Sequence, residues 1–515
     1  MNAHPKTPVI NPWLIAVSVM LATFMETLDT SIANVSLPHI AGNLSASTDE
    51  ATWVITSYLL SNAIILPASG WLSRYFGRKR LLITCVGIFT LSSLLCGIAP
   101  SLGLLIVARI LQGIGGGALQ PLAQAIMLES FPPAKRGAAM AAYAMGVVVA
   151  PIMGPLVGGW ITDNYSWRWI FYINIPVGLV AIAMMRRYIH DPAHIRDSKP
   201  ARIDAFGFGL MAIGLATLQV ILDKGQEDDW FGAEWIRWTA LISATTLIAF
   251  IIWERYVKQP IVDLKVFANR NFAVGTFMVI MVGMVVYVPA TLLPQFLQEL
   301  MGYTAYDSGM AQSSRGLGMM LFIFPVGYLV SKVDSRKLIG FGFFIAAFSI
   351  YWLSRLNLDM AMVNIRFPLF IQGIGMAFVF VPLTTTAMGT LTNEQMGNAT
   401  GIYNLMRNIG GSIGISLATT FVARHAQGHQ TDLAAHFTPY DAAYRERVQT
   451  LQSALGTPHD STLAIANLYH TLVQQATTMA YVDTFRWLAL LCLIGTPAVI
   501  FFKKVQSRGA PALAH

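Results

Sequence analysis

Long apolar runs separated by short polar segments make up most of this chain. A membrane-spanning helix needs about 20 mainly apolar residues, and fourteen segments reach this length. Because only helices and closed barrels satisfy their backbone polar groups in lipid, runs this long and this apolar predict helices. We place the fourteen predicted spans near residues 13–38, 52–72, 81–98, 102–128, 137–161, 167–186, 204–222, 236–256, 272–296, 310–330, 338–355, 365–388, 398–422 and 479–502.

The composition narrows the class of protein further. Of the 515 residues, 55% are hydrophobic and only 12% are charged, whereas a soluble domain carries about 25% charged residues. The mean hydropathy of +0.56 is too high for a water-exposed surface. These values exclude a disordered chain, a secreted disulfide scaffold and an ordinary cytosolic enzyme. They predict an all-α polytopic membrane protein.

The basic residues indicate how the spans are oriented. The net charge is +8, and most of the 34 lysines and arginines lie in segments on the side of the N-terminus. The positive-inside rule therefore predicts that both termini are cytoplasmic. No small-residue cleavage site follows the apolar N-terminal run, so we expect it to be a retained span rather than a signal peptide. The orientation of the spans thus accounts for the excess of basic residues, and no nucleic-acid partner is needed to explain it. The long stretch 423–478 is then predicted to lie outside the membrane on the opposite side, as a small amphipathic cap.

Two pairs of similar segments indicate an internal repeat. Residues 70–81 resemble 327–338, and residues 112–115 resemble 372–375. Both pairs are offset by eight predicted spans, which two six-helix halves with two inserted helices would produce. Parallel halves of this kind are typical of transporters, whose substrate site lies between the halves near the membrane midplane. We predict an N-terminal half over 1–186, two inserted helices with their loops over 187–271, and a C-terminal half over 272–515 that includes the outer loop 423–478.

Three charged residues inside predicted spans are the candidates for proton coupling. Glu26 and Asp29 lie one helical turn apart in span 1, and two carboxylates in a low-dielectric site repel when both are ionised, so one should hold a proton more readily. Arg109 in span 4 stays charged when buried. It would pair with an ionised carboxylate and be released on protonation. The alternatives are a structural hydrogen bond for Asp29, a solvated Glu26 and an arginine that reaches the interface.

Other positions carry weaker predictions. We place Asn34, Asn404 and Arg407 in a substrate cavity, because polar side chains within spans favour contact with a cavity or a partner. CxxC and HExxH spacings do not occur, so the sequence predicts no metal site. A nucleophile motif and a phosphate-binding loop are also missing from the sequence, which argues against an enzyme.

Taken together, these residues resemble the major facilitator superfamily, and more narrowly its 14-span drug/proton antiporters of the EmrB multidrug-exporter type. The loop after span 2 matches the superfamily signature at Gly70, Gly77, Arg78 and Lys79. It departs at Arg74, where an aspartate is usual. The resemblance assigns that aspartate to a conformational latch, and Arg74 does not supply the carboxylate of this latch.

Three further segments contribute to the resemblance. Span 1 resembles the first-span signature of the 14-span group around Asp29 and Asn34. Span 4 resembles the proton-handling signature and span 5 resembles the antiporter signature. The matching residues are Arg109, Gln112 and Gly113 in span 4, and Gly154, Pro155, Gly158 and Gly159 in span 5.

The resemblance implies a function as well as a major facilitator fold of about 14 transmembrane helices. It implies a proton-coupled antiporter that exports hydrophobic or amphipathic drugs across the bacterial inner membrane by alternating access. The proton is the coupling ion and no other cofactor is expected. Exporters of this type work with a periplasmic adaptor and an outer-membrane channel. The alternatives are a proton-coupled transporter of a physiological solute (a siderophore, lipid or metabolite) and a membrane receptor or assembly subunit without transport.

Overall fold

The computed structural model describes residues 11–132, 135–191, 204–435, 437–455 and 461–503. These residues form seventeen α-helices and no strand, which confirms the predicted all-α fold. In chain order the helices are α1 (Pro12–Asn43), α2 (Thr48–Phe76), α3 (Arg78–Ile98), α4 (Leu102–Gly116), α5 (Leu119–Ser130), α6 (Arg136–Asn164), α7 (Trp169–Tyr172), α8 (Asn174–Tyr188), α9 (Ala205–Lys224), α10 (Glu234–Tyr256), α11 (Arg270–Gln295), α12 (Ala305–Leu329), α13 (Ser335–Leu353), α14 (Met362–Met388), α15 (Asn393–Ala434), α16 (Ala442–Leu455) and α17 (Thr462–Ala498).

The chain is a multi-pass membrane protein. Within the described ranges, twelve helical stretches are long and apolar enough to cross a bilayer, with α4 and α5 forming one of them and α7 and α8 another. The helices α12 and α15 are less apolar but have 25 and 42 residues, and they occupy the places of predicted spans 10 and 13. The helices are therefore consistent with the fourteen predicted spans.

The same packing pattern occurs twice in the bundle. In the first half α2 and α3 pack on α4, α1 packs on α6, and α3 packs on α8; in the second half α12 and α13 pack on α14, α11 packs on α15, and α13 packs on α17. The halves meet where α2 contacts α15 and where α6 contacts α12. Two structural repeats related by an axis along the membrane normal would produce this pattern. The inserted helices α9 and α10 pack on each other, and α9 also contacts α2 and α15.

Both ends of the described chain lie at one end of the bundle. The ring of Trp13, at the start of α1, lies 5.1 Å from the ring of Phe131, which follows α5. At the other end of the chain, Arg270 Nε donates a hydrogen bond of 2.8 Å to the carbonyl oxygen of Phe501. We call this the basic end of the bundle, because the basic segments 74–80, 135–136, 258–270 and 332–337, which connect or end helices, lie there.

Glycines bring the two halves into backbone contact at the basic end. A Cβ on Gly327 of α12 would lie 2.9 Å from the carbonyl oxygen of Gly137 on α6. A Cβ on Gly70 of α2 would lie 2.7 Å from the Cα of Asn398 on α15. Side chains at these glycines would prevent such approach, so small residues here allow the halves to pack closely. In this structure the seam between the halves is closed at the basic end.

The described part of the stretch 423–478, which the sequence predicts to be a small amphipathic cap, is mostly helical. Helix α15 has 42 residues and α17 has 37, so at 1.5 Å per residue they are about 63 and 56 Å long, roughly twice the hydrocarbon thickness. Much of this stretch is therefore a continuation of two spanning helices, joined by the short α16. The polar residues after 422 end the apolar run without breaking the helix, so hydropathy does not show where the helix itself ends.

Candidate functional site

The structure brings Asp29 of α1 and Arg109 of α4 together as a buried ion pair. Arg109 Nη1 lies 2.5 Å from Asp29 Oδ2, and their side chains are 0% and 1% exposed. Arg109 Nε also donates a hydrogen bond of 2.9 Å to the carbonyl oxygen of Val54. The guanidinium carbon lies 4.4 Å from the ring centre of Tyr58, at cation–π distance. Removing one member of such a pair leaves an uncompensated buried charge.

Amide side chains complete the surroundings of Asp29. Gln112 Nε2 and Asn174 Nδ2 donate to Asp29 Oδ1 at 3.0 and 2.6 Å. Both amides also donate to the hydroxyl oxygen of Ser93, at 2.7 and 2.9 Å. Gln112 and Asn174, like Arg109, donate to the carboxylate. An ionised carboxylate only accepts hydrogen bonds, so this arrangement fits the ionised form of Asp29.

Glu26 lies in a second polar network, although it is one turn from Asp29. Tyr58 Oη and Asn62 Nδ2 each donate to Glu26 Oε1 at 3.3 Å, and Gln120 Nε2 donates to Oε2 at 2.6 Å. The Glu26 side chain is buried, in contrast to the solvated alternative. Tyr58 connects the two networks, because its hydroxyl contacts Glu26 while its ring faces the arginine of the first network.

Gln120 extends the second network to the other half of the protein. Arg407 Nη2 of α15 donates to Gln120 Oε1 at 2.6 Å, and Asn404 Nδ2 donates to Gln124 Oε1 at 2.6 Å. Within the described ranges, Gln124 Nε2, Asn404 Oδ1 and Arg407 Nε are buried without a hydrogen-bond partner. Buried polar atoms are normally paired. This part of the seam can therefore offer both donors and an acceptor to a bound molecule.

The third predicted cavity residue lies elsewhere. Asn34 is on the part of α1 beyond Asp29, towards the end opposite the basic end, and it is exposed. Asn404 and Arg407 are buried. The structure thus places two of the three predicted cavity residues at the seam.

The basic loop after α2 makes ordered contacts within its own half. Gly77 has φ +82°, a conformation that favours glycine, and it separates α2 from α3. Arg78 forms a buried ion pair with Glu129 at the end of α5. The backbone N–H of Lys79 donates to Asp191 Oδ1 at 2.8 Å. These contacts tie the loop to the ends of α5 and α8.

Arg74, at the position where the resemblance leads us to expect an aspartate, contacts the segment that follows the inserted helices. Its Nη2 donates to the carbonyl oxygen of Pro260 at 3.4 Å. Three residues later in the same segment, the backbone N–H of Asp263 donates to Asn398 Oδ1 at 3.0 Å, and Asn398 Nδ2 donates to the Asp263 carbonyl at 2.9 Å. The segment 257–269 therefore contacts both halves at the basic end.

Gly154 and Gly158 lie on α6, which corresponds to predicted span 5, and they face α1, the helix that carries Glu26 and Asp29. A Cβ on Gly154 would overlap the side chain of Ser31, and a Cβ on Gly158 would lie 2.9 Å from Ile32 Cγ2. Small residues at these positions let α1 and α6 pack closely next to Asp29. The side chain of Pro155 lies outside the described residues.

A leucine at Gly154 should destabilise the bundle, whereas a leucine at Gly159 on the same helix should not. A Cβ at Gly159 would meet open space, but overpacking at Gly154 costs about 1–3 kcal/mol of unfolding free energy. Thermal denaturation of the two purified variants, Gly154→Leu and Gly159→Leu, measures this difference. Equal transition temperatures would show that the contact between α1 and α6 is not close.

Sequence reasoning missed the neutral partners of the charged residues. They are polar side chains within apolar spans, which is the only signal the sequence offers, and many such residues bond only to their own helix. The missed residues are Tyr58, Asn62, Ser93, Gln120, Gln124 and Asn174.

Comparisons with known proteins agree with this architecture. The family model of the Major Facilitator Superfamily matches residues 19–415. The fatty acid resistance protein FarB of Neisseria gonorrhoeae is 39% identical over 500 residues, 97% of each chain. The multidrug export protein EmrB of Haemophilus influenzae is 37% identical over 510 residues, 98% of each chain. The solved proton:xylose symporter XylE has a TM-score of 0.58 at 13% identity, covering 94% of this chain and 96% of its own. The resemblance in the sequence is thus confirmed, and the chain belongs to the major facilitator superfamily of membrane transporters.

Proposed function

We propose that this protein is a proton-coupled antiporter that exports hydrophobic or amphipathic drugs across the bacterial inner membrane by alternating access. The observation that carries the proposal is the buried pair of Asp29 and Arg109, because an ion pair in a spanning bundle is costly and marks a functional site. The relative named multidrug export protein supports drugs as the substrate class. The basic end is proposed to face the cytoplasm.

Protonation of Asp29 would change its interaction with Arg109. A neutral carboxyl attracts the guanidinium far less than a carboxylate does. Arg109 would keep two other acceptors, the Val54 carbonyl at 2.9 Å and Gln112 Oε1 at 2.7 Å, so its charge would not be left without hydrogen bonds. The pair could therefore separate on protonation and re-form on deprotonation, which would bias the packing of α1 against α4.

The proposed cycle assigns this structure a stage. The seam is closed at the basic end, and the hydrogen bonds of Asp29 fit its ionised form. Both features fit the stage after release of drug to the outside and before uptake of a proton. Proton uptake would then favour reopening towards the cytoplasm. A membrane potential of 100 mV supplies about 2.3 kcal/mol for each charge moved.

Replacing Gln120 by leucine should weaken the coupling between the halves. Gln120 is hydrogen-bonded to both Glu26 and Arg407, and leucine would leave both charged groups without this partner. We expect drug-driven proton flux to fall by roughly tenfold, the equivalent of 1.4 kcal/mol, with the Asp29 pair unchanged. The matched control is Gln449→Leu on the exposed α16. If the drug-driven proton flux of Gln120→Leu equals that of the control, Gln120 has no part in the coupling between the halves.

A second candidate substrate class is a physiological solute such as a siderophore, lipid or metabolite. The buried guanidinium of Arg407 at the seam, with its Nε unpaired among the described residues, favours an amphipathic acid within this class. The relative named for fatty acid resistance points the same way. Competition between a cationic dye and a fatty acid for transport distinguishes the two candidates.

Proteoliposomes test the proposed function. The purified protein is reconstituted, a pH gradient is imposed, and the movement of a fluorescent amphipathic dye and of protons is recorded together. The proposal expects dye to accumulate against its gradient only when protons move the other way. Dye movement that ignores the pH gradient, or proton flux that ignores the dye, would refute antiport.

We also propose the partners that the resemblance implies. The continuations of α15 and α17 beyond the membrane form the surface that would meet a periplasmic adaptor, which would pass substrate to an outer-membrane channel. Cross-linking from Gln449 on α16, which is exposed, to a co-expressed adaptor tests this placement. Reaction at this position and none from the basic end is the expected result.

A further inference from the structure

Three potential metal ligands meet far from the transport site. His425 and His429 lie one helical turn apart on α15, and Asp483 lies on α17. His429 Nε2 is 2.8 Å from Asp483 Oδ2, and His425 Nδ1 is 3.6 Å from the same oxygen. The three ligand atoms all lie within 4.8 Å of one another. We propose that these residues bind a divalent transition-metal ion such as Zn²⁺. The bound ion holds α15 against α17 at the end of the bundle opposite the basic end.

The donor set and spacing suit such an ion. Two imidazoles and one carboxylate are a common ligand set for Zn²⁺, with a water as the fourth ligand. With metal–ligand bonds of about 2.0–2.1 Å, tetrahedral ligand atoms are roughly 3.3 Å apart. The distances of 2.8 and 3.6 Å to Asp483 Oδ2 bracket this value. The two histidine nitrogens lie within 4.8 Å of each other, so side-chain rotations that shorten this separation would complete the site.

The surroundings orient the carboxylate for this role. Arg486 Nη1 lies 3.1 Å from Asp483 Oδ1, which leaves the other oxygen, Oδ2, directed at the two histidines. Partners of this kind that orient a ligand are typical of metal sites. The Arg486 side chain is 59% exposed, so water screens its positive charge and reduces its repulsion of a cation.

Access and location also favour a bound ion. The side chains of His425, His429 and Asp483 are 36%, 22% and 24% exposed, so an ion can reach them from the solvent. The site lies where α15 and α17 leave the membrane-embedded bundle. A link between the two helices there would stabilise their long polar continuations, which bury few apolar side chains. The competing interpretation is a plain histidine–aspartate ion pair, and the experiment separates the two.

Metal titration of the full-length protein tests this proposal independently of transport. Chelator-treated protein in detergent is titrated with Co²⁺, whose visible absorption reports imidazole and carboxylate ligation, and then with Zn²⁺ while the thermal transition is followed. We expect one equivalent to bind and the transition temperature to rise. His425→Ala, His429→Ala and Asp483→Asn should each weaken binding at least tenfold. His470→Ala, at an exposed histidine of α17, is the matched control and should bind as the wild type does.

Two results would overturn the proposal. Absence of a Co²⁺ spectrum in the wild type would leave only the ion pair. Equal affinity in the wild type and in His429→Ala would place the bound metal elsewhere. Size-exclusion chromatography checks that each variant is folded. If one ligand variant does not fold, the metal affinity of either of the other two is compared with that of the wild type.

Discussion

Replacing Asp29 by asparagine is expected to abolish proton-coupled export and to destabilise the protein. Asparagine keeps the size of the side chain but cannot exchange a proton, and it leaves the fully buried Arg109 without its counter-charge. Breaking a buried pair by removing one partner typically costs about 3–5 kcal/mol. Drug transport that follows the pH gradient should therefore disappear in proteoliposomes, and thermal unfolding should begin at a lower temperature. Asp228→Asn, at an exposed loop position, is the control.

A double variant separates the two effects of this substitution. Changing Asp29 to asparagine and Arg109 to glutamine together removes both charges, so no uncompensated charge remains buried. We expect most of the lost stability to return but no proton coupling. If the double variant instead transports drug against its gradient as the wild type does, the pair is structural and the mechanism is wrong.

A leucine at Gly137 is expected to reduce transport strongly by preventing the two halves from closing, without changing any charge. Gly137 faces Gly327 across the seam, and a Cβ on Gly137 would overlap the carbonyl oxygen of Gly327. The halves would then be unable to close at the basic end, and the outward-open stage of the cycle would be lost. Transport should fall at least tenfold, which corresponds to about 1.4 kcal/mol, while Gly103→Leu, at an exposed glycine of α4 whose Cβ would meet open space, should transport normally.

Spin labels measure the position of the halves directly in this variant. The exposed residues Arg80, in the first turn of α3, and Lys332, which follows α12, lie at the basic end in the two halves. The distance between labels at these two positions should be longer in Gly137→Leu than in the wild type. An unchanged distance, with normal transport, would show that the close glycine contact has no part in the cycle.

The sequence predicted the fold well because the membrane imposes a simple rule. Each span needs an apolar run of a fixed minimum length, and such runs are visible without any knowledge of packing. The repeat was visible through residues 70–81 and 327–338, and in the structure Gly70 and Gly327 both lie at close contacts between the halves. Where the rule does not apply, prediction was poorer. Helix α15 continues through polar residues to Ala434, beyond the predicted span, and hydropathy does not predict where such a continuation ends.

The site was only partly predictable for a related reason. Charges in apolar runs stand out, so the sequence alone identifies Glu26, Asp29 and Arg109 as candidates. Which groups they contact depends on helix packing, and Asn174 is 145 residues from Asp29 in the chain. Glu26 and Asp29 belong to separate networks because they face different helices. Glu26 faces α2 and α5, whereas Asp29 faces α4 and α8. Their spacing of one turn along α1 does not predict this separation.

The candidate metal site shows the same limit. The sequence search used CxxC and HExxH spacings, and it predicted no metal site. His425 and His429 have a four-residue spacing without the glutamate of the second motif, and their third partner Asp483 is 54 residues from His429. Only the packing of α15 on α17 brings the three together.

Proton release on substrate binding tests the central claim most directly. The purified protein in weakly buffered solution is mixed with a drug that it transports, and a pH indicator records the protons released. If Asp29 exchanges its proton for substrate, the wild type should release a proton on binding and Asp29→Asn should release none, although it still binds the drug. Equal proton release from both proteins would contradict the claim that this carboxylate couples the two movements.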